Sequence, residues 1–192
     1  MSDRDTRGLN SPLGQELLER ARALGPTLKE RSAQCEAMSK VPDETIADFQ
    51  DAGFFKILQS EKYGGYELDP QVYYGVVLEV AKHCMSSAWV LSVIGVHNWQ
   101  LNLFDPQAAA EVWKDDPSVL ISSSYAPVGL VKPVDGGFML TGRWSFSSGC
   151  EHCKWVFLGA VVPVEGQPWD IKNYRTFLVP LDDYKIEKNW DV

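Results

Sequence analysis

Eleven consecutive residues, Gly142 to His152, carry two large aromatics, three serine hydroxyls, a thiol and an imidazole. Trp144, Phe146 and Ser148 alternate with Ser145 and Ser147. Read as a strand, one face presents two flat rings followed by a hydroxyl. That suits a planar, partly polar ligand: rings supply contact area and the hydroxyl one directed hydrogen bond. A surface strand packing its aromatics on a neighbouring domain has the same pattern.

Two other places hold unusual polar groups. Gly95-Val96-His97-Asn98-Trp99 lies within an apolar helical stretch. A core histidine and a functional one both fit there, and Asn98 points about 100° away around the helix. Ile121-Ser122-Ser123-Ser124-Tyr125-Ala126-Pro127 puts three hydroxyls at a strand end before a proline. Such an end binds the polar edge of a heterocycle, or serves turn chemistry alone.

Cys150-Glu151-His152-Cys153 is a C-x-x-C. Zinc needs four ligands and no second pair is present, while a redox dithiol sits where a helix starts, not before a strand. These cysteines read as structural. No G-x-S-x-G elbow, phosphate loop or G-x-G-x-x-G is present, so hydrolase and Rossmann readings lack support.

The elements that must position these groups fall into two blocks. Leu13 to Met38 has helical apolar spacing, with Gly25-Pro26 as a kink or break. Pro42-Asp43-Glu44 opens a second helix, stopped by Gly53. Asp69-Pro70 and Asp105-Pro106 each read as cap plus first-turn proline. Ser86-Ser87 reads as the cap of a helix from Ala88 to about Phe104, apolar nearly all round and so expected at the centre of the packing. After Pro117 the pattern turns to strands: Val119 to Ser124, a hairpin Leu130 to Val134 and Phe138 to Trp144 around Gly136-Gly137, then Trp155 to Val162 and Thr176 to Leu181. Lys185 to Val192 looks like another strand beginning. The expected fold class is α+β: a helical domain over residues 1–117 and an antiparallel β domain over 118–192.

The chain has 192 residues and a net charge of −8, with no basic cluster, which argues against a nucleic-acid partner. The longest apolar stretch, Ala88 to Leu101, is too short to span a bilayer, and no secretory signal is visible. A cytoplasmic location follows, with Cys35, Cys84, Cys150 and Cys153 as free thiols.

Taken together, Ile94-Gly95-Val96-His97-Asn98, the Ile121 to Pro127 segment and Gly-x-Trp-x-Phe-x-Ser-Gly-Cys-x-His resemble one family, with Gly53-Phe54-Phe55 and Tyr63-Gly64-Gly65 adding to the likeness. It is that of the flavin-dependent monooxygenases on the acyl-CoA dehydrogenase fold, nearest to oxygenase components of two-component phenol hydroxylases. These include those acting on the secosteroid phenol of steroid breakdown and on p-hydroxyphenylacetate. The resemblance runs from about Pro42 onward. It implies three parts: a helical domain, a β domain, and a C-terminal four-helix bundle absent from this chain.

The resemblance also implies roles. Ser148 falls where a hydroxyl meets flavin N5, and Phe146 where an aromatic packs on the isoalloxazine. Main chain around Ser123, Ser124 and Tyr125 falls at the pyrimidine side. His97 and Ser123 fall where related enzymes hold the substrate hydroxyl. The implied reaction is ortho-hydroxylation of a phenol by O₂ and reduced FMN or FAD, through a C4a-hydroperoxyflavin. A separate flavin reductase supplies the cofactor, and the complete protein is a homo-tetramer. An acyl-CoA dehydrogenase is the first alternative. That family has Thr-Glu-Pro and a Gly-Ser-Asp turn after the first β strand, and Tyr125-Ala126-Pro127-Val128-Gly129 lacks both the acid and the Ser-Asp. A non-catalytic fragment is the second alternative.

Overall fold

The computed structural model describes residues 6–188 and divides into two compact units between Leu120 and Ile121. The first unit is helical. Helix α1 (Pro12–Glu30) starts where the Ser11 hydroxyl accepts from the Gly14 N–H at 3.0 Å, with proline at its first positions. It buries Leu17, Leu18, Ala21 and Leu28 along one stripe. Of the kink or break expected at Gly25-Pro26, the break does not occur: α1 runs through Pro26 to Glu30. Gly25 has no Cβ to clash with the proline ring. Its bare Cα also lies against His83, whose Cε1 would be 2.7 Å from a Cβ there. The break falls instead at Arg31, before α2 (Ser32–Met38).

Helix α3 (Asp43–Asp51) has Pro42 as its N-cap and Asp43 and Glu44 in its first turn, where acids face the helix dipole. It stops at Ala52 and Gly53, whose φ of 79° suits glycine. Asp69 and Asp105 cap α4 (Pro70–Ala81) and α6 (Pro106–Trp113) by accepting from the N–H groups of Gln71 and Gln107, each at 2.9 Å. Between them, α5 (Met85–Gln100) begins at Cys84. Ser86 and Ser87 therefore lie inside its first turn, and the Ser87 hydroxyl donates to Cys84 Sγ at 3.2 Å rather than capping. Nor is α5 buried all round: Met85, Trp89 and Trp99 are exposed. In the core, Phe49 meets Phe54 and Phe55 with ring centroids 5.7 and 6.3 Å away. Each such ring, fully buried, contributes about 1.5–3 kcal/mol.

The second unit is a four-stranded sheet in the order β2-β1-β3-β4. Strand β1 (Ile121–Val134) is continuous where the sequence suggests two strands. It turns at Gly136, φ 80°, into β2 (Gly137–Thr141) as the expected hairpin, with β2 ending short of Trp144. Strands β3 (Trp155–Val161) and β4 (Tyr174–Pro180) also pair antiparallel. Strands β1 and β3 run parallel, so the sheet is mixed rather than antiparallel throughout. The cause is the irregular passage through residues 142–154, which carries the chain from β2 across to the other side of β1. Residues 185–188 form no strand, and 189–192, the rest of the expected one, lie outside the described residues.

Candidate functional site

His97 sits in the C-terminal half of α5 and is 2% exposed; Asn98 is 1% exposed. Asn98 is a tether. Its Nδ2 donates to the Phe55 carbonyl at 2.7 Å and to Gln59 Oε1 at 3.3 Å. Gln59 Nε2 in turn donates to the carbonyls of Tyr63 (3.1 Å) and Pro117 (3.0 Å). From α4, the Tyr73 hydroxyl donates to the Leu91 and Ser92 carbonyls at 2.5 and 3.1 Å. Gly95 permits that approach, since a Cβ there would lie 2.7 Å from the Tyr73 ring. Burial pushes the Tyr73 phenol far above its ordinary value, so it stays a donor. The turn carrying His97 is thus gripped on both sides by Tyr73, Gly95, Asn98 and Gln59. Of these, only the Gly-Val-His-Asn run drew attention in sequence, because Tyr73 and Gln59 look like ordinary helix and linker residues.

The serine segment forms the first part of β1. Ser122 and Ser124 are buried and Ser123 half-buried, as strand alternation requires. The Ser124 hydroxyl donates to the Ser145 carbonyl at 2.7 Å. This bond ties the end of the serine segment to the loop that carries Phe146 and Ser148. Past Ser124 the pairing of β1 with β3 shifts register and resumes only at Gly129. Residues 125–128 thus bulge opposite the single residue Gly159. Tyr125 is exposed, and its carbonyl accepts from the Tyr174 hydroxyl at 3.0 Å.

The run from Gly142 to Ser147 is irregular and not a strand, so the two rings share no face by alternation. Trp144 is half-buried, and its Nε1 donates to the Gly159 carbonyl at 2.9 Å. Phe146 is 80% exposed and has a φ of 60°, rare for a bulky residue. Holding it there costs about 1–2 kcal/mol. Ser148 is half-buried in the turn that Gly149, φ 73°, completes. Of the residues singled out in sequence, the sheet unit holds Ser123, Ser124, Tyr125, Phe146 and Ser148 on two tied segments. His97 belongs to the helical unit. Trp144, Gly159 and Tyr174 were missed as supports, since only the bulge gives them that task.

All four cysteines are free. The Cys153 thiol donates to the Gly149 carbonyl at 3.5 Å, and burial pushes it far up. Burial, then the Glu151 charge, also raises Cys150. Neither is poised as a thiolate nucleophile. Burial and, after it, the neighbouring thiols push the Tyr184 phenol up to about 12.

An exposed ring beside a hydroxyl-bearing turn, tied to β1 where its pairing with β3 shifts register, fits a flat heterocycle with a polar edge. The acyl-CoA dehydrogenase N-terminal domain matches residues 15–109. The oxygenase subunit HsaA, a flavin-dependent monooxygenase of Rhodococcus jostii, is 46% identical over 175 residues, covering 91% of this chain and 45% of the relative. The oxygenase component of p-hydroxyphenylacetate 3-hydroxylase from Acinetobacter baumannii is 32% identical, covering 92% of this chain and 41% of that protein. The crystal structure of 3-HSA hydroxylase from Rhodococcus sp. RHA1 superposes with a TM-score of 0.88 at 46% identity, over 92% of this chain and 45% of that one.

The fold is therefore that of the acyl-CoA dehydrogenase superfamily. Within it, the chain is homologous over some nine tenths of its length to flavin-dependent monooxygenase oxygenase components. It spans a little under half the length of the relatives it matches. Among the described residues, no helix is long and apolar enough to cross a membrane.

Proposed function

We propose that this chain is part of the oxygenase component of a two-component monooxygenase that hydroxylates a phenol ortho to its hydroxyl. The observation that carries the reading is the tied pair of segments at Ser124 and Ser145, with the exposed Phe146 beside Ser148, in a chain 46% identical to a flavin-dependent oxygenase subunit. Reduced FMN or FAD, when bound, supplies the electrons and activates O₂, one oxygen atom going to the ring and the other to water.

The chain's own residues do the rest. The Phe146 ring packs on the face of the isoalloxazine, and the Ser148 hydroxyl hydrogen-bonds at N5. Main-chain groups of Ser123, Ser124 and Tyr125 meet the pyrimidine edge. The Ser123 hydroxyl also hydrogen-bonds the substrate. In the helical unit, His97 draws the proton of the phenol hydroxyl, which enriches the ring carbon ortho to it. A rigid, water-poor wall keeps oxygen transfer ahead of peroxide release.

A flavin reductase is the proposed partner, with a homo-tetramer as the assembly of the complete protein and the cytoplasm as its location. Residues 1–117 and 118–192 are the proposed domains. The test supplies reduced FMN or FAD from a reductase and follows O₂ uptake and catechol formation across a panel of phenols, including a phenolic secosteroid. Hydroxylation that needs reduced flavin and no NADH beyond the reductase step is expected. Turnover of acyl-CoA thioesters alone, or of no phenol, overturns the proposal.

A further inference from the structure

The bulge at residues 125–128 leaves a gap in the sheet that a side chain fills. Strand β1 pairs with β3 up to Ser124 opposite Leu158 and again from Gly129 opposite Ala160. Four residues of β1 thus face one residue of β3, Gly159, and a regular ladder is lost at that point. The Gly159 carbonyl is taken by the indole N–H of Trp144 at 2.9 Å.

The ring itself is seated by small residues. A Cβ on Gly129 would lie 2.5 Å from Trp144 Cζ2, and one on Gly142 2.8 Å from Trp144 Cη2. A Cβ on Gly159 would collide with the Tyr125 carbonyl and lie 2.5 Å from the Tyr174 hydroxyl oxygen. On the far side of the bulge, Tyr174 donates to the Tyr125 carbonyl at 3.0 Å. Glycine at each of these positions is therefore a requirement of close approach.

We infer that Trp144 is a positioning residue that stands in for the missing strand pairing and, with Tyr174, holds the β1 bulge and the Phe146–Ser148 loop in one shape. Trp144 belongs to the loop and grips β3, while Ser124 in β1 grips the loop through Ser145. Two contacts thereby tie the loop, one to β3 and one to β1, and the Tyr174 hydroxyl of β4 adds a third at the bulge. The inference rests on the proposed reading of these two segments as the flavin wall. It adds that their mutual register depends on one indole N–H.

The test is amide hydrogen exchange on the whole protein and on Trp144→Phe, which keeps a ring and removes the N–H. Exchange at Tyr125, Ala126, Val128, Gly129 and Ser145 to Ser148 should quicken by about tenfold, the loss of one buried hydrogen bond. Exchange in α4 and α5 should not change. Gly129→Ala, which evicts the indole from the other side, should give the same pattern. Tyr174→Phe, a milder change, should quicken the bulge even where the first two variants fold poorly. Trp169→Phe, at an exposed site, should change nothing. Unchanged exchange in the bulge and loop of Tyr174→Phe and Trp144→Phe overturns the inference.

Binding of oxidised FMN and FAD, read by fluorescence on the same proteins, separates this inference from the reading beneath it. Wild-type binding weakened about tenfold in Trp144→Phe, at an equal thermal midpoint, supports both. Equal affinity overturns the positioning role. Wild-type protein that binds neither flavin overturns the flavin wall, while the exchange pattern still decides the pin.

Discussion

At the scale of single residues, the chain separates groups offered to a ligand from groups spent on holding them. Phe146 is exposed at a strained φ, while two residues earlier Trp144 is committed to the Gly159 carbonyl. Asn98 is committed to Phe55 and Gln59, which leaves His97 as the imidazole of that turn. Two predictions belong here. On the proposed reading of Ser148 at flavin N5, Ser148→Ala should raise the share of consumed O₂ that appears as H₂O₂, by a few-fold, through loss of that one hydrogen bond. Stopped-flow uptake with peroxide assay checks this, and unchanged coupling removes Ser148 from the role. His97→Ala should slow catechol formation by about 10²-fold or more while flavin reoxidation stays within a few-fold, as expected for a lost proton acceptor. Equal slowing of both would make His97 a structural residue.

At the scale of elements, the Asp-Pro caps were plain in sequence, whereas the Ser86-Ser87 cap and the packing exceptions were not. Asp69-Pro70 and Asp105-Pro106 start helices as expected, because the cap and the proline act within one turn. The break expected at Pro26 does not occur because Gly25 before it carries no Cβ, and position 25 lies against His83, 58 positions further along than Gly25. A similar tie joins α1 to α4: Arg22 pairs with Glu79 at 3.1 Å, and Lys82 with Glu79 at 2.6 Å. The hydrogen bond from Lys82, against the opposing effect of burial and with help from Arg22, holds the Glu79 carboxyl below its usual range. Its folded pKa being depressed, the stabilisation is complete above the ordinary carboxylate value of about 4.3 and is lost as pH falls through the folded one. Glu79→Gln should therefore lower the thermal midpoint at pH 7 and leave it less sensitive to acid between pH 6 and 3. Thermal melts across that range check it, and parallel pH profiles for the two proteins would remove Glu79 from the acid response.

At the scale of the whole molecule, the helical unit shows several large apolar side chains: Leu78, Met85 and Leu103 are each more than 60% exposed. Stabilisation by these groups within the unit is small, since they bury little of their area there. Leu78→Gln and Met85→Gln should each move the thermal midpoint by no more than about 2 °C, whereas Leu91→Ala, in the core, should lower it by several degrees. Differential scanning fluorimetry checks the contrast. A large drop in the first two would mean that these side chains are covered in the protein in solution.

What the sequence determined by itself was whatever depends on near neighbours. Helix starts, the Gly136 hairpin, the change from helices to strands after Pro117 and the serine and aromatic runs all rest on contacts within a few residues. A resemblance carried by short motifs sufficed to place the chain in its family. Tertiary structure decided what depends on distant partners. It made β1 and β3 parallel, carried α1 through Pro26, and broke the alternation that had put Trp144 and Phe146 on one face. Period-two reasoning holds only while a segment is paired as a strand. Residues 142–147 are not, so the place of Trp144 was settled by Gly129 and Gly142, whose bare Cα atoms leave room for the indole, and by the Gly159 carbonyl that accepts its N–H.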